Sequence, residues 1–318
     1  MGRRLLAGIP VVLMIVTANF FLLHLAPGDP ATVLAGEAGA ATPEYMQQLR
    51  AQFGLDRSIP VQFVAYIWNI LHLDFGFSFR YGASNLSLIL DRMGATLLLM
   101  LTATVFAVLA GTALGVFVAA RRGTLAARLI LGAVVVVYAA PVFWLGLMLI
   151  VAFAIKLGWL PTSGMWTVGA DLSGAAATLD VARHLVLPAA TLSFFYVALY
   201  TRLMRSAVLD NLELNYVTTA RAKGVGPARI LRRHVLRNAI VPVLTMAGVQ
   251  VSGMLGGSVV VESVFGWPGL GQLAFDALRS RDLNLLLGIL VLSSVLVVLV
   301  NTAVDVLHGI VDPRVVPG

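Results

Sequence analysis

The chain has 318 residues, of which 59% are hydrophobic and only 12% charged, and its mean hydropathy is +0.92. About a quarter of the residues of a soluble domain are charged, so this composition excludes a soluble globular protein and describes an integral membrane one. The net charge of +7 comes with no aromatic residues interleaved among the cations, which argues against a nucleic-acid interface, and the absence of cysteine excludes disulfides, thiolate metal sites and cysteine nucleophiles.

A helix needs roughly 20 apolar residues to cross about 30 Å of hydrocarbon. Such runs stand at 5–26, 96–120, 129–155, 185–203, 239–261 and 283–307. All are too long and unbroken for the alternating strands of a barrel, each about ten residues. The expected fold is all-α, with six transmembrane helices in one domain over 1–318. Arg3 and Arg4 precede the first run, whose apolar core of about 20 residues is longer than that of a secretory signal, so it reads as an uncleaved span.

LAPGDPA (Leu25 to Ala31) ends that helix with proline and glycine, and 28–92 is expected outside the cytoplasm. Within it TPEYMQQLRAQFGL reads as a helix, with Thr42 as cap, Pro43 in the first position, Gly54 as stop, and Tyr45, Leu49, Gln52 and Phe53 near one face. FGFSFRYG, Phe75 to Gly82, reads as an interfacial aromatic belt in preference to the alternative of a short extended piece. Pro141, Pro188 and Pro242 are expected to kink spans three to five. The second outer loop carries Trp159 and Trp166 at the headgroup level.

Between spans four and five, over 206–238, Arg221, Lys223, Arg229, Arg232, Arg233 and Arg237 crowd a polar segment that cannot enter hydrocarbon. Leu209, Leu212, Tyr216 and Thr219/Ala220 recur at helical spacing, Gly224 and Gly226 interrupt, and Pro227 suits the first turn of a second helix reaching about Asn238. That helix would present Ile230, Leu231, His234 and Val235 on one side. Attraction to anionic lipid requires charge but no hinge, so two short helices about a glycine break point to a protein partner. Beyond the fifth span, FGWPGLGQLAFDALRSRD joins a turn to a short re-entrant or interfacial helix with Leu273, Ala277 and Leu278 on one face.

With the amino terminus inside, fourteen Lys and Arg fall on cytoplasmic connections and eight outside, half of the latter in the long 28–92 segment. Both termini are therefore expected in the cytoplasm. The only lysines, Lys156 and Lys223, follow Ile155 and Ala222, so no Gly-Lys phosphate loop is present. Glu262 and Asp305 are the only carboxylates in the spans, and both stand near an end, which leaves no midplane ion relay. His24, His72, His184, His234 and His308 are scattered, and no acid/base pair or metal spacing suggests an enzyme or a metal site. Energy must then come from a partner, unless the chain is a stand-alone channel or a gradient-driven carrier.

The segment TARAKG followed by ILRRHVLRNAIVP resembles the cytoplasmic EAA loop of ATP-binding-cassette importer permeases of the dipeptide/oligopeptide/nickel branch. LLHLAPGDPA, VESVFGWPGLGQLAFDALRSRD and VDVLHGIVDPR extend the similarity over nearly the whole chain. The Glu-Ala-Ala of the general motif reads Thr218, Thr219, Ala220 here, and Arg237 replaces a late proline, while Gly224 and Pro242 keep their places. The resemblance implies a permease subunit of the bacterial inner membrane, without catalysis or cofactor of its own. Its implied partners are a second homologous permease, cytoplasmic ATPase subunits holding ATP and magnesium, and an extracytoplasmic solute-binding protein. It also assigns insertion into an ATPase groove to Tyr216, Thr219, Ala220, Arg221, Lys223 and Gly224.

In the fifth span Gly248, Ser252 and Gly256, and again Gly253 and Gly257, have the spacing that lets helices pack closely. Alternatively Gln250, Ser252, Gly253 and Ser258 line a translocation route with small, weakly polar walls.

Overall fold

The computed structural model describes residues 2–25, 42, 47, 51 and 56–311. Backbone in hydrocarbon must satisfy its own N–H and C=O groups, and the apolar runs accordingly form helices. In chain order these are α1 (Gly2–Leu25), α2 (Ile59–Leu71), α3 (Asn85–Ala120), α4 (Leu125–Ala139), α5 (Val142–Lys156), α6 (Gly174–Leu212), α7 (Asn215–Ala222), α8 (Pro227–Phe265), α9 (Leu270–Arg279) and α10 (Leu283–Val311). Among the described residues α3, α6, α8 and α10 are long and apolar enough to cross a membrane, and α4 with α5 makes a fifth span if the bent pair counts as one. The described apolar part of α1, Ile9–Leu22, is shorter than that.

Helices outrun the apolar segments that announce them. Thus α3 starts at Asn85 and α6 covers Gly174–Leu212, because hydropathy marks only the part of a helix that hydrocarbon would cover. Pro141 lacks an N–H and caps α5, with Ala140 extended before it, and the two helices meet there at 113°. By contrast α6 and α8 run through Pro188 and Pro242 without a break. The helix expected at 42–55 lies almost wholly outside the described residues. FGFSFRYG contains a short extended piece: β1 (Phe77–Ser78) pairs antiparallel with β2 (Ala83–Ser84), Phe77 opposite Ser84, and residues 79–82 form the turn between them. Gly82, at φ +62°, supplies the left-handed residue of the turn.

The described residues form two compact units, one from those up to Gly94 with Leu273–Thr302, the other from Ala95–Gln272 with those from Ala303 onward. In the first, Phe20 of α1 packs on Phe63 and Tyr66 of α2, ring centroids 5.1 and 5.8 Å apart. Ile89, Leu285, Leu287, Ile289 and Val291 are buried there. Ser78 Oγ donates to Asp282 Oδ2 at 2.5 Å, while Asp282 Oδ1 accepts from Leu285 N at 3.1 Å. One carboxylate thus caps α10 and holds the hairpin to it. Asp282→Ala removes both bonds and is expected to cost about 1–2 kcal/mol, read as a lower thermal midpoint of the purified protein. On α9, Leu273 and Ala277 are buried as expected. Leu278 is not: it stands about 140° round the helix from Leu273 and is 57% exposed.

The second unit packs around α6. Tyr200, Met204 and Val208 are buried with Val217, Ile230, Val235, Ala239 and Val243. A separate cluster joins Leu99, Ala103, Leu187 and Leu192 to Val261, Phe265 and Trp267.

Candidate functional site

The cationic segment begins where α6 stops at Leu212. Glu213 and Leu214 turn the chain, Leu214 in extended backbone ahead of α7. The single amphipathic helix expected over Leu209 to Lys223 is therefore two pieces. No glycine or proline causes this break. Val217 and Ala220, three apart on α7, are buried in the core around α6, and seating them requires α7 to leave the α6 axis.

At its other end α7 closes by a motif that glycine makes possible. Gly224 has φ +76°, its N–H donates to Arg221 O at 2.9 Å, and the Val225 N–H donates to Ala220 O at 3.1 Å. These are the two bonds of a Schellman C-cap, and Val225 and Ala220 supply its apolar contact. Gly226 then precedes Pro227, the first residue of α8. The second short helix expected to end near Asn238 instead continues through a π-helical turn, Leu231–Val235, into the long apolar helix up to Phe265. Polarity changes along α8, but its backbone ladder does not stop.

Tyr216 links the three helices. Its hydroxyl donates to Asn211 Oδ1 on α6 at 2.9 Å and accepts from Asn238 Nδ2 on α8 at 3.4 Å. Asn211 is itself held, donating to Ala207 O at 2.8 Å. Of the residues assigned to the groove, Thr219, Arg221, Lys223 and Gly224 are exposed, Tyr216 is half-buried and Ala220 is buried. Ala220 and Tyr216 thus fasten α7 to its own chain, and the outward set gains Thr218, which sequence reasoning passed over.

On α8 an exposed stripe runs through Val249, Gly253, Gly256 and Val260. Gln250 and Ser252 flank it half-buried, whereas Ser258 is 1% exposed and donates to Leu255 O at 2.9 Å. Ser258 therefore belongs to the packed interior and not to a wall.

A second constellation closes the far end of α8. Glu262 is fully buried. Its Oε1 accepts from Thr96 Oγ1 at 2.8 Å, and its Oε2 accepts from the N–H groups of Gly271 and Gln272 at 2.6 and 3.1 Å. Thr96 Oγ1 in turn accepts the Leu270 N–H at 2.8 Å, and Trp267 Nε1 donates to Ala95 O at 2.9 Å. The first free amides of α9 are thereby satisfied. Sequence reasoning set Glu262 aside as a marginal carboxylate, because its partners are backbone amides and a threonine on α3.

Comparison with known proteins identifies the family. The family model for binding-protein-dependent transport system inner membrane components matches residues 111–317, and the model for the N-terminal part of those components matches 1–102. The chain is 35% identical to the dipeptide transport system permease protein DppB of Escherichia coli K12 over 330 residues, covering 98% of this chain and 97% of that one. It is 37% identical over 328 residues to the di/tripeptide transport system permease protein DppB of Pseudomonas aeruginosa UCBPP-PA14, covering 99% and 97%. It is 39% identical over 313 residues to the probable peptide ABC transporter permease protein y4tP of Sinorhizobium fredii NGR234, covering 98% and 97%. In fold it resembles a chain of the MetNI methionine ABC transporter in an inward-facing conformation, with a TM-score of 0.57 at 20% identity, covering 74% of this chain and all of that one. The chain belongs to the family of binding-protein-dependent transport system inner membrane components, as a multi-pass membrane subunit of an ABC importer.

Proposed function

We propose that this chain is one of two permease subunits of a peptide importer of the bacterial inner membrane, and that ATPase motion enters it through α7. The observation that carries this reading is the mounting of α7. The helix is fastened by Val217, Ala220 and Tyr216 to the ends of α6 and α8, while Thr218, Thr219, Arg221 and Lys223 point away from the chain. A short helix so fixed moves two long ones as a rigid body when something pushes on it. Force must come from outside, since the sequence offers neither a phosphate loop nor an ion relay. Both termini lie in the cytoplasm on this reading, which the distribution of Lys and Arg supports.

Relatives whose names specify dipeptides or peptides cover nearly the full chain, which supports peptides as the substrate class. Solute arrives on an extracytoplasmic binding protein and ATP is hydrolysed on cytoplasmic subunits. The second permease and the solute route share the exposed stripe of α8 with Gln250, Ser252 and Gly253, small and weakly polar groups that let varied peptides pass.

The test is charge reversal on the outward face. In the assembled complex Arg221→Glu with Lys223→Glu is expected to weaken ATPase docking by about 2 kcal/mol or more, roughly a 30-fold loss. Labelled dipeptide uptake falls accordingly, while the amount of chain in the membrane stays unchanged. Uptake at the unmodified rate in that variant would remove α7 from the coupling role.

A further inference from the structure

We propose that α2 lies along the bilayer surface with its outer side in lipid, as a second membrane-bound element beside α1, and does not stand in water as part of the outer segment 28–92. This inference does not depend on the importer reading.

The 13 residues of α2, IPVQFVAYIWNIL, span about 20 Å, too little to cross the hydrocarbon. A helix standing in water turns a polar face outward; the polar groups of α2, Gln62, Tyr66 and Asn69, form one narrow strip at i, i+4 and i+7, well round the helix from its most exposed side. Phe63, Tyr66, Ile67 and Ile70 are half-buried on the side that faces α1. On the opposite side Val61, Val64, Trp68 and Leu71 are 47–71% exposed and follow one another at helical spacing. Gln62 is already engaged with His24 Nε2 at 3.0 Å and the Arg57 carbonyl at 2.8 Å.

Lipid is the occupant because the apolar surface of α1 continues onto this helix. Phe21, exposed on α1 among Met14, Leu22 and Leu25, stacks on Phe63 with ring centroids 6.5 Å apart. Through this contact the exposed apolar surface of α1 around Phe21 continues onto α2. Beyond α2 the chain keeps exposing aromatic and apolar groups, Leu73, Phe77, Phe79 and Tyr81, and aromatic side chains concentrate where headgroups meet hydrocarbon. Arg57 and Arg80 bracket the stretch in sequence and suit lipid phosphates. A protein-binding patch would instead carry a polar rim around its apolar centre.

The chain has no cysteine, so single labels report cleanly. Val64→Cys and Trp68→Cys would each carry a nitroxide in the full transporter, its partner subunits freed of cysteine, in phosphatidylcholine/phosphatidylglycerol vesicles. Asp171→Cys, on an exposed loop residue, gives the aqueous reference. The ratio of collision rates with oxygen to those with a water-soluble nickel chelate is expected to exceed the reference several-fold at both positions. Nickel access equal to that of the reference would place α2 in water. Low access to both reagents would mean that a second copy or another protein covers it. Either result overturns the proposal.

Discussion

Replacing Gly269 with alanine is expected to cost about 3 kcal/mol, the upper end of what overpacking a rigid interior costs, and to leave much less protein monodisperse after extraction. A methyl group there would run into the carboxyl group of Glu262, and at Gly271 it would strike the Val259 backbone as well. Glu262 cannot swing aside, since Thr96, Gly271 and Gln272 all donate to it. The carboxyl group itself is tested by a pair of substitutions. Glu262→Leu strands those buried donors, each worth about 1–3 kcal/mol when left unpaired, and should approach the alanine variant in severity. Glu262→Gln keeps one oxygen for the two amides and turns its N–H toward the Thr96 hydroxyl, so its loss should stay near 1 kcal/mol. Thermal midpoints in detergent rank the three. A Gly269→Ala protein melting with the unmodified one would mean that the carboxyl group does not occupy this pocket.

This network also shows what the sequence could reveal and what it could not. Apolar runs were legible because partition into hydrocarbon sums over about 20 residues, and the hinge at Gly224–Pro227 was legible because a left-handed residue and a first-turn proline are local requirements. Glu262 was not. Thr96 is 166 residues away in sequence, and nothing local distinguishes a carboxylate that will be enclosed from one at a wet helix end. The turn at Glu213 and Leu214 was hidden for a similar reason: burial of Val217 and Ala220 against α6 imposes it, and no turn residue marks it. The similarity to importer permeases located the coupling segment but did not say which side of α7 faces outward. Helical spacing placed Tyr216 and Ala220 on one face, and within α7 that grouping holds, but its extension back to Leu209 and Leu212 assumed an unbroken helix that the turn at Glu213 and Leu214 divides.

Small residues at a spacing of four give the sharpest contrast, because one such pair governs packing and another does not. On α3, Gly111 and Gly115 meet α6 face to face: a Cβ on Gly111 would stand 2.6 Å from Tyr200 Cβ, and one on Gly115 2.6 Å from Met204 Cβ and 2.8 Å from Thr201 O. On α8, where the sequence suggested close packing, the pair Gly253 and Gly257 meets only side-chain atoms, with Tyr196 Oη at 3.7 Å and Leu192 Cδ1 at 3.3 Å as the nearest, and Gly256 has nothing within 4 Å. The spacing is the same, and only the direction each pair faces differs. Gly115→Val is therefore expected to be among the most damaging single changes, at about 3 kcal/mol or more, since its obstacles include backbone atoms of α6 that move only if the whole helix moves. Gly256→Ala meets no obstacle within the chain and removes backbone freedom from a helix, so it should be neutral or stabilising by up to about 1 kcal/mol. Thermal midpoints and recovered yield of the two purified variants provide the measurement. Equal tolerance at both positions would show that α3 and α6 do not approach as closely as glycine allows.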